Sequence, residues 1–219
     1  MLTRKLIESG AYLDHFRGLD PAICWDDERQ ARSLAETLAA APSQDTGIWI
    51  FGYGSLIWNP MLCFDERHWA TLPGWQRSFS LGMVAGRGSP EQPGRMLAVQ
   101  PGDSIRGVAL RLIGAQAHDE LRLLWRREMP TGAYLPTWDT AVLDDGRRVV
   151  SLVFAANADH PMHAVDSSVA TVAPLVAAAS GPYGSNAEYV LRLDDELVAA
   201  RATDAYVHSL ASAVRALTP

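Results

Sequence analysis

Three features of the 219-residue chain predict an α+β fold, a small curved β-barrel-like sheet with inserted and flanking helices. Short β-type segments crowd residues 47–155. One strongly helical segment interrupts them near 115–129. Helical patterns occupy both ends of the chain.

Residues 1–46 are expected to form an N-terminal helical extension. Leu34 and Leu38 stand one turn apart, Asp26, Asp27 and Glu28 suit a helix start, and Pro42 follows Ala39–Ala41. No chemistry-bearing pattern is visible in this arm. Candidate strands follow at Ile48–Gly52, Ser78–Val84, Arg95–Gln100, Gly107–Ile113, Trp138–Leu143 and Val149–Ala155, and Asp144-Asp145-Gly146 suits a hairpin turn between the last two. The inserted helix spans Ala115–Met129 and stops at Pro130.

Beyond Ala155, Asp166 is placed to cap a helix that reaches Ser180 with an irregularity at Pro174. Ser185-Asn-Ala-Glu188 spells a capping box, and its helix carries Val190, Leu193 and Leu197 on one face. A last helix near Thr203 carries Val207, Leu210, Val214 and Leu217. The expected organisation is thus an arm (1–46), a central domain (47–199) and a C-terminal helix packed on it (200–219).

Hydrophobic residues make up 48% of the chain, enough for a real core. Nineteen Lys and Arg against twenty-five Asp and Glu give a net charge of −6, and no basic run exists, which argues against nucleic acid as a partner. Cys24 and Cys63 form no CxxC pair, so zinc-ribbon and thioredoxin motifs are excluded and both read as free cytosolic thiols. The N-terminus lacks the apolar stretch of a signal peptide. The longest apolar run, Val169–Ala179, is too short to span a bilayer and contains Pro174. A soluble, cytoplasmic protein with no membrane partner is expected; oligomeric state is not indicated.

The segment Trp49-Ile-Phe-Gly-Tyr-Gly-Ser-Leu-Ile-Trp58 opens as an apolar strand and breaks into a glycine turn, Gly52-Tyr53-Gly54-Ser55. Glycines after a buried strand let a ligand approach main-chain N–H groups. The turn is not a dinucleotide fingerprint, because Ile57 stands where the third glycine belongs. It is not a Walker loop, and it lacks the Gly-x-Ser-x-Gly of a nucleophile elbow. An ordinary hairpin turn fits it as well.

A second signal lies on the inserted helix. Leu121, Leu124 and Trp125 make an apolar stripe, and the next position on it is Glu128. A carboxylate there faces the core or a cleft. Burial and the helix C-terminus both raise its pKa, with Arg126 and Arg127 opposing, and a carboxylate nearer neutrality suits acid/base work. A glutamate snorkelling out of a frayed helix end fits the pattern equally well.

Four segments together carry a family resemblance. Phe51-Gly-Tyr-Gly-Ser-Leu-Ile-Trp58, Gly86-Arg-Gly-Ser-Pro-Glu-Gln-Pro-Gly94, Trp125-Arg-Arg-Glu-Met-Pro-Thr-Gly-Ala-Tyr134 and Ser180-Gly-Pro-Tyr-Gly-Ser-Asn-Ala-Glu-Tyr189 resemble, in order, segments of the ChaC-like branch of the γ-glutamylcyclotransferases. Ser89 stands where that family has threonine. Residues 1–45 and 200–219 lie outside the motifs.

The resemblance implies a γ-glutamylcyclotransferase-like fold and cleavage of glutathione into 5-oxoproline and cysteinylglycine. The substrate's own α-amino group is the nucleophile, so no cofactor and no metal is required. It implies Glu128 as general acid/base, and Tyr53, Gly54, Ser55 and Leu56 as the loop that grips the γ-glutamyl end. Arg87, Tyr134 and Tyr183 are further substrate-binding candidates, Arg87 for a substrate carboxylate; core packing or solvation are the plain alternatives for them and for Tyr189. Trp58, Trp125 and Trp138 are expected to wall the cleft. His160 and His163 read as surface residues rather than metal ligands, and a Ser55–His68 hydrolase ranks far lower. The remaining alternatives are a cyclotransferase for other γ-glutamyl-amino acids or γ-glutamylamines, and a non-catalytic binding protein on the same scaffold.

Overall fold

Five strands close on themselves: β1 (Ile48–Gly52), β2 (Glu66–Met83), β3 (Gly94–Leu112), β4 (Tyr134–Leu143) and β5 (Arg148–Ala156), in the order β1-β3-β2-β4-β5. The computed structural model describes residues 2–16, 19–20, 22–42, 47–114 and 116–218. Consecutive neighbours in that order run antiparallel. β5 then closes the barrel in parallel with β1, pairing Ser151 with Trp49 and Leu152 with Ile50.

The strand β1 matches the sequence expectation, and the β4–β5 hairpin turns where expected, with Gly146 at φ +88°, but β4 begins at Tyr134 rather than Trp138. The long strands do not. β2 has 18 residues and β3 has 19, where the sequence suggested Ser78–Val84, Arg95–Gln100 and Gly107–Ile113 as separate pieces. Pro73-Gly74 and Pro101-Gly102 read as breaks. They lie together at a bend instead, where the ladder shifts register between Pro73 and Trp75. A second shift falls between Ser78 and Leu81. Such bulges curve strands that would outrun a small domain at roughly 3.3 Å per residue, and a proline costs little there.

The described residues include six α-helices: α1 (Arg4–Glu8), α2 (Asp27–Ala39), α3 (Ala117–Glu128), α4 (Val169–Ala178), α5 (Asn186–Ala199) and α6 (Ala205–Leu217). The expected start of α3 at Ala115 lies outside the described residues. Ser168, not Asp166, caps α4: its side chain accepts from Thr171 N, while Asp166 accepts from Ser168 N and Thr171 Oγ1. That helix ends at Ala178, short of Ser180, which enters a two-residue ladder with Ser185. The capping box on α5 is present in both directions. α6 starts one residue beyond its cap, Asp204, and its expected face is buried except for Leu217, which is 54% exposed at the last turn.

The N-terminal arm is fixed to the far side of α3. Arg4 grips Glu120 through both carboxylate oxygens at 2.8 Å, and α2 packs along the same helix. This is why α3 is buried on more than the single stripe predicted for it. The indole N–H groups of Trp125 and Trp138 donate to Ser33 Oγ and Thr37 O of α2. These two tryptophans therefore seat the arm rather than wall a cleft. Trp25 closes the arrangement: its main-chain N–H donates to Pro130 O at 2.8 Å, and its ring lies against the space a side chain at Gly132 would fill. Gly132 also has φ +69°. Gly132→Val is therefore expected to lose at least about 2 kcal/mol of stability. Urea denaturation checks this, and an unchanged midpoint would mean that Trp25 does not seat the arm there.

Candidate active site

A pocket of about 190 Å³ opens at one end of the barrel. Its walls include the turn after β1, the end of β2, the start of β3, the C-terminus of α3, the start of β4, the start of α5 with the loop before it, and the N-terminal arm. The turn is a 3-10 helix, Ser55–Ile57, entered through Gly54. Gly54 is required by close packing: a Cβ there would stand 2.6 Å from the Tyr189 hydroxyl and 3.1 Å from a Leu97 methyl.

Glu128 lies at the pocket wall with its side chain 18% exposed. The broken apolar stripe thus points into a cleft and not to solvent. Burial raises its pKa from the ordinary glutamate value, and the Arg127 guanidinium opposes that shift. Arg127 Nε stands 3.0 Å from Glu128 Oε1. The negative charge is felt by four phenols. Tyr12, Tyr53, Tyr134 and Tyr189 all have raised pKa values, first through burial and then through charge on Glu128 or, for Tyr134, on Tyr53 and Glu128; Tyr189 is pushed up to about 12.

The predicted site residues are all at this pocket, in different states. Leu56 is a buried wall residue. Ser55 Oγ accepts from Arg127 Nη2 at 2.7 Å. Tyr53 and Tyr134 donate their hydroxyl protons to barrel carbonyls, Phe154 O and Leu97 O, so neither is a free acid. Tyr183 is 9% exposed and its hydroxyl is buried without a partner among the described residues. Arg87 donates to Ser185 O at 2.7 Å and lies 3.4 Å from Glu188. Trp58 is at the pocket wall. Ser55 and His68 belong to separate networks, since His68 pairs with Glu66, so no Ser–His pair exists. His160 is half-buried, with Nε2 2.9 Å from Thr131 O, and His163 is half-buried and bridges to Leu81; neither is the plain surface residue expected. Among the described residues no three His, Cys, Asp or Glu side chains converge.

Sequence reasoning missed three contributors. Arg127 enters the sequence reading only as a charge opposing Glu128, yet its buried side chain also donates to Asn59 O and Pro60 O. Tyr189, for which core packing is the plain alternative in sequence, has its hydroxyl at Gly54 and Ser55. The arm, read as chemically silent, reaches the pocket with Tyr12 and Phe16. Tyr12 donates to Arg127 O at 3.3 Å and packs on Tyr183 with ring centroids 5.7 Å apart. No periodic signal marks these two aromatic residues.

Residues 48–217 match the sequence model of the family described as ChaC-like protein. The chain is 45% identical, over 217 residues, to the glutathione-specific γ-glutamylcyclotransferase of Escherichia coli, covering 99% of this chain and 94% of that protein. It is 34% identical over 156 residues to glutathione-specific γ-glutamylcyclotransferase 1 of Danio rerio, covering 68% and 78%. Its fold is similar to the crystal structure of a γ-glutamyl cyclotransferase specific to glutathione from yeast, with a TM-score of 0.72 at 22% identity, covering 80% of this chain and 98% of that one.

The raised pKa of Glu128 fixes a sign. The folded state holds its proton more tightly than the unfolded chain, so Glu128 favours folding at low pH and opposes it as pH rises through the interval between the two pKa values. Glu128→Gln removes that opposition. The stability of the wild type relative to this variant is expected to fall as pH rises through that interval, because the variant has no proton to lose there; melting temperatures of both across pH check this. A wild-type advantage that grows with pH would contradict the burial argument.

Proposed function

Since the chain belongs to the ChaC-like protein family, we propose that it cleaves the γ-glutamyl bond of glutathione by intramolecular cyclisation, releasing 5-oxoproline and cysteinylglycine. The observation that carries this reading is the placement of Glu128, a carboxylate with a raised pKa, in one pocket with the glycine turn.

The chemistry needs no nucleophile from the protein. The substrate's α-ammonium gives a proton to Glu128, and the freed amine attacks the γ-carbonyl carbon, closing a five-membered ring. The ring nitrogen gives up a second proton as the lactam forms, the C–N bond to the cysteinyl nitrogen breaks, and that nitrogen takes both protons in turn through Glu128 and leaves as an ammonium. Protons balance over the cycle. A base of this kind supplies about 10²–10⁴-fold, and burial brings Glu128 closer in strength to the amine it must deprotonate. Arg127 holds Oε1 and so orients the carboxylate.

Folding the flexible glutamyl chain into its cyclising shape lowers the barrier by up to about 7–11 kcal/mol in favourable cases. We assign that task to Tyr53, Gly54, Ser55 and Leu56, with Tyr134 and Tyr183 as pocket walls. The cysteinylglycine end extends toward Arg87, which meets the glycine carboxylate. Stabilisation of charge on the carbonyl oxygen falls to main-chain donors of the turn.

The deciding experiment compares kcat/KM for 5-oxoproline release from glutathione and from γ-glutamyl-alanine. Glutathione is expected to be strongly preferred; equal values would favour a broader cyclotransferase, and no product from either would leave a binding protein. Glu128→Gln is expected to fold normally and lose at least about 99% of turnover; retention of more than about a tenth would remove it from the acid/base role. Gly54→Val is expected to lose more activity than Ser55→Ala, because its side chain collides with Tyr189 and Leu97, whereas Ser55→Ala removes one acceptor from Arg127.

A further inference from the structure

Behind the glycine turn, on the side away from the pocket, lies a guanidinium that the mechanism above does not use. Arg77 on β2 has a side chain only 1% exposed. It lines a second, polar cavity with Ser78, Arg106, Asp204 and Tyr206, and it does not reach the substrate pocket. Every branch of the guanidinium is engaged. Nε donates to Tyr53 O at 2.8 Å, Nη1 donates to Asp204 Oδ2 at 2.9 Å, and Nη2 donates to Arg106 O. Asp204 is fixed in turn, because its other oxygen accepts from Val207 N and caps α6.

Tyr53 and Gly54 show the opposite placement: both line the substrate pocket and neither lines the second cavity. The peptide between them therefore separates the two. In a trans peptide the carbonyl and the following N–H point in opposite directions, and this peptide is trans. Its carbonyl is turned toward Arg77, so its N–H, belonging to Gly54, is turned away from Arg77. Among the described residues no main-chain carbonyl accepts from that N–H.

We propose that Arg77, held by Asp204, is a positioning residue for the cyclisation: it locks the Tyr53–Gly54 peptide so that the Gly54 N–H is presented to the γ-carbonyl oxygen of the substrate. The inference rests on the function proposed above and adds which donor of the turn is aimed and what aims it. A hydrogen bond from a buried cation holds a carbonyl more firmly than a neutral donor does. A preorganised donor acts where charge develops, which places its effect in kcat more than in KM. The pair also connects α6, outside the recognisable motifs, to the reacting group.

The test uses the full chain with Arg77→Lys and Asp204→Asn. A lysine reaches one or two of the three acceptors as a point charge and cannot span them in one plane. Asparagine keeps the helix cap while removing the charge. Rates of 5-oxoproline release from glutathione are measured per folded protein, well below each variant's melting midpoint. Arg77→Lys is expected to lower kcat about 10- to 100-fold with KM held within about threefold, and Asp204→Asn to lower it by a smaller factor, about 3- to 10-fold.

A merely structural role would lower the melting midpoint and leave kcat of the folded fraction unchanged. Loss of less than about tenfold in kcat for Arg77→Lys, or a loss carried by KM, overturns the proposal. If Arg77→Lys does not fold, Asp204→Asn decides: wild-type kcat overturns the proposal, and a fall above about threefold at constant KM supports it. A wild-type protein that releases no 5-oxoproline sinks the proposed function and this inference with it. An active wild type with indifferent variants sinks this inference alone.

Discussion

The guanidinium of Arg127 is the constraint on which the pocket depends. It leaves the last turn of α3 and donates to Ser55 Oγ, Asn59 O and Pro60 O, with Nε beside Glu128. Two segments some 70 residues apart are joined by one buried cation. A buried charge with a missing partner costs several kcal/mol, of order 3–5 when a pair is broken, so the turn and the helix end keep one relative position. The base and the loop proposed to grip the substrate are thereby one rigid unit. Even the arm refers to this point, since Tyr12 donates to the Arg127 carbonyl.

The barrel was legible where strands are short and bounded by unambiguous turns. β1 ends in glycine, and β4 and β5 flank Asp144-Asp145-Gly146. It was illegible where strands are long. A Pro-Gly pair signals a break in any local reading, and only pairing across the sheet, Trp75 with Pro101, shows that the chain bends and continues. The same local view placed the α4 cap at Asp166. That side chain does bond two groups of the first turn, but Ser168 holds the cap position.

For the site, a charge standing in a hydrophobe's place was the useful signal. It singled out Glu128 after Leu121, Leu124 and Trp125. The same signal existed for Arg77, which falls between Trp75 and Phe79 on a strand with period two, but the strand was not expected to begin before Ser78. Arg127 gave no such signal, because a basic residue in the last helical turn is what the helix dipole favours anyway. Tyr12 and Phe16 approach the pocket only through tertiary docking of the arm. No sequence period encodes a contact between residue 12 and residue 127.

The docking of that arm has a consequence for how the chain is made. Translation delivers the arm before the barrel, yet its seats are Glu120, Trp125, Pro130 and Trp138, and the barrel beneath them closes only when Ser151 and Leu152 reach β1. The opening segment of the chain therefore has no surface of its own to settle on until more than a hundred later residues have left the ribosome. It is synthesised well before its seats and comes to rest only after them, so during synthesis the Tyr12 end of the pocket stays open.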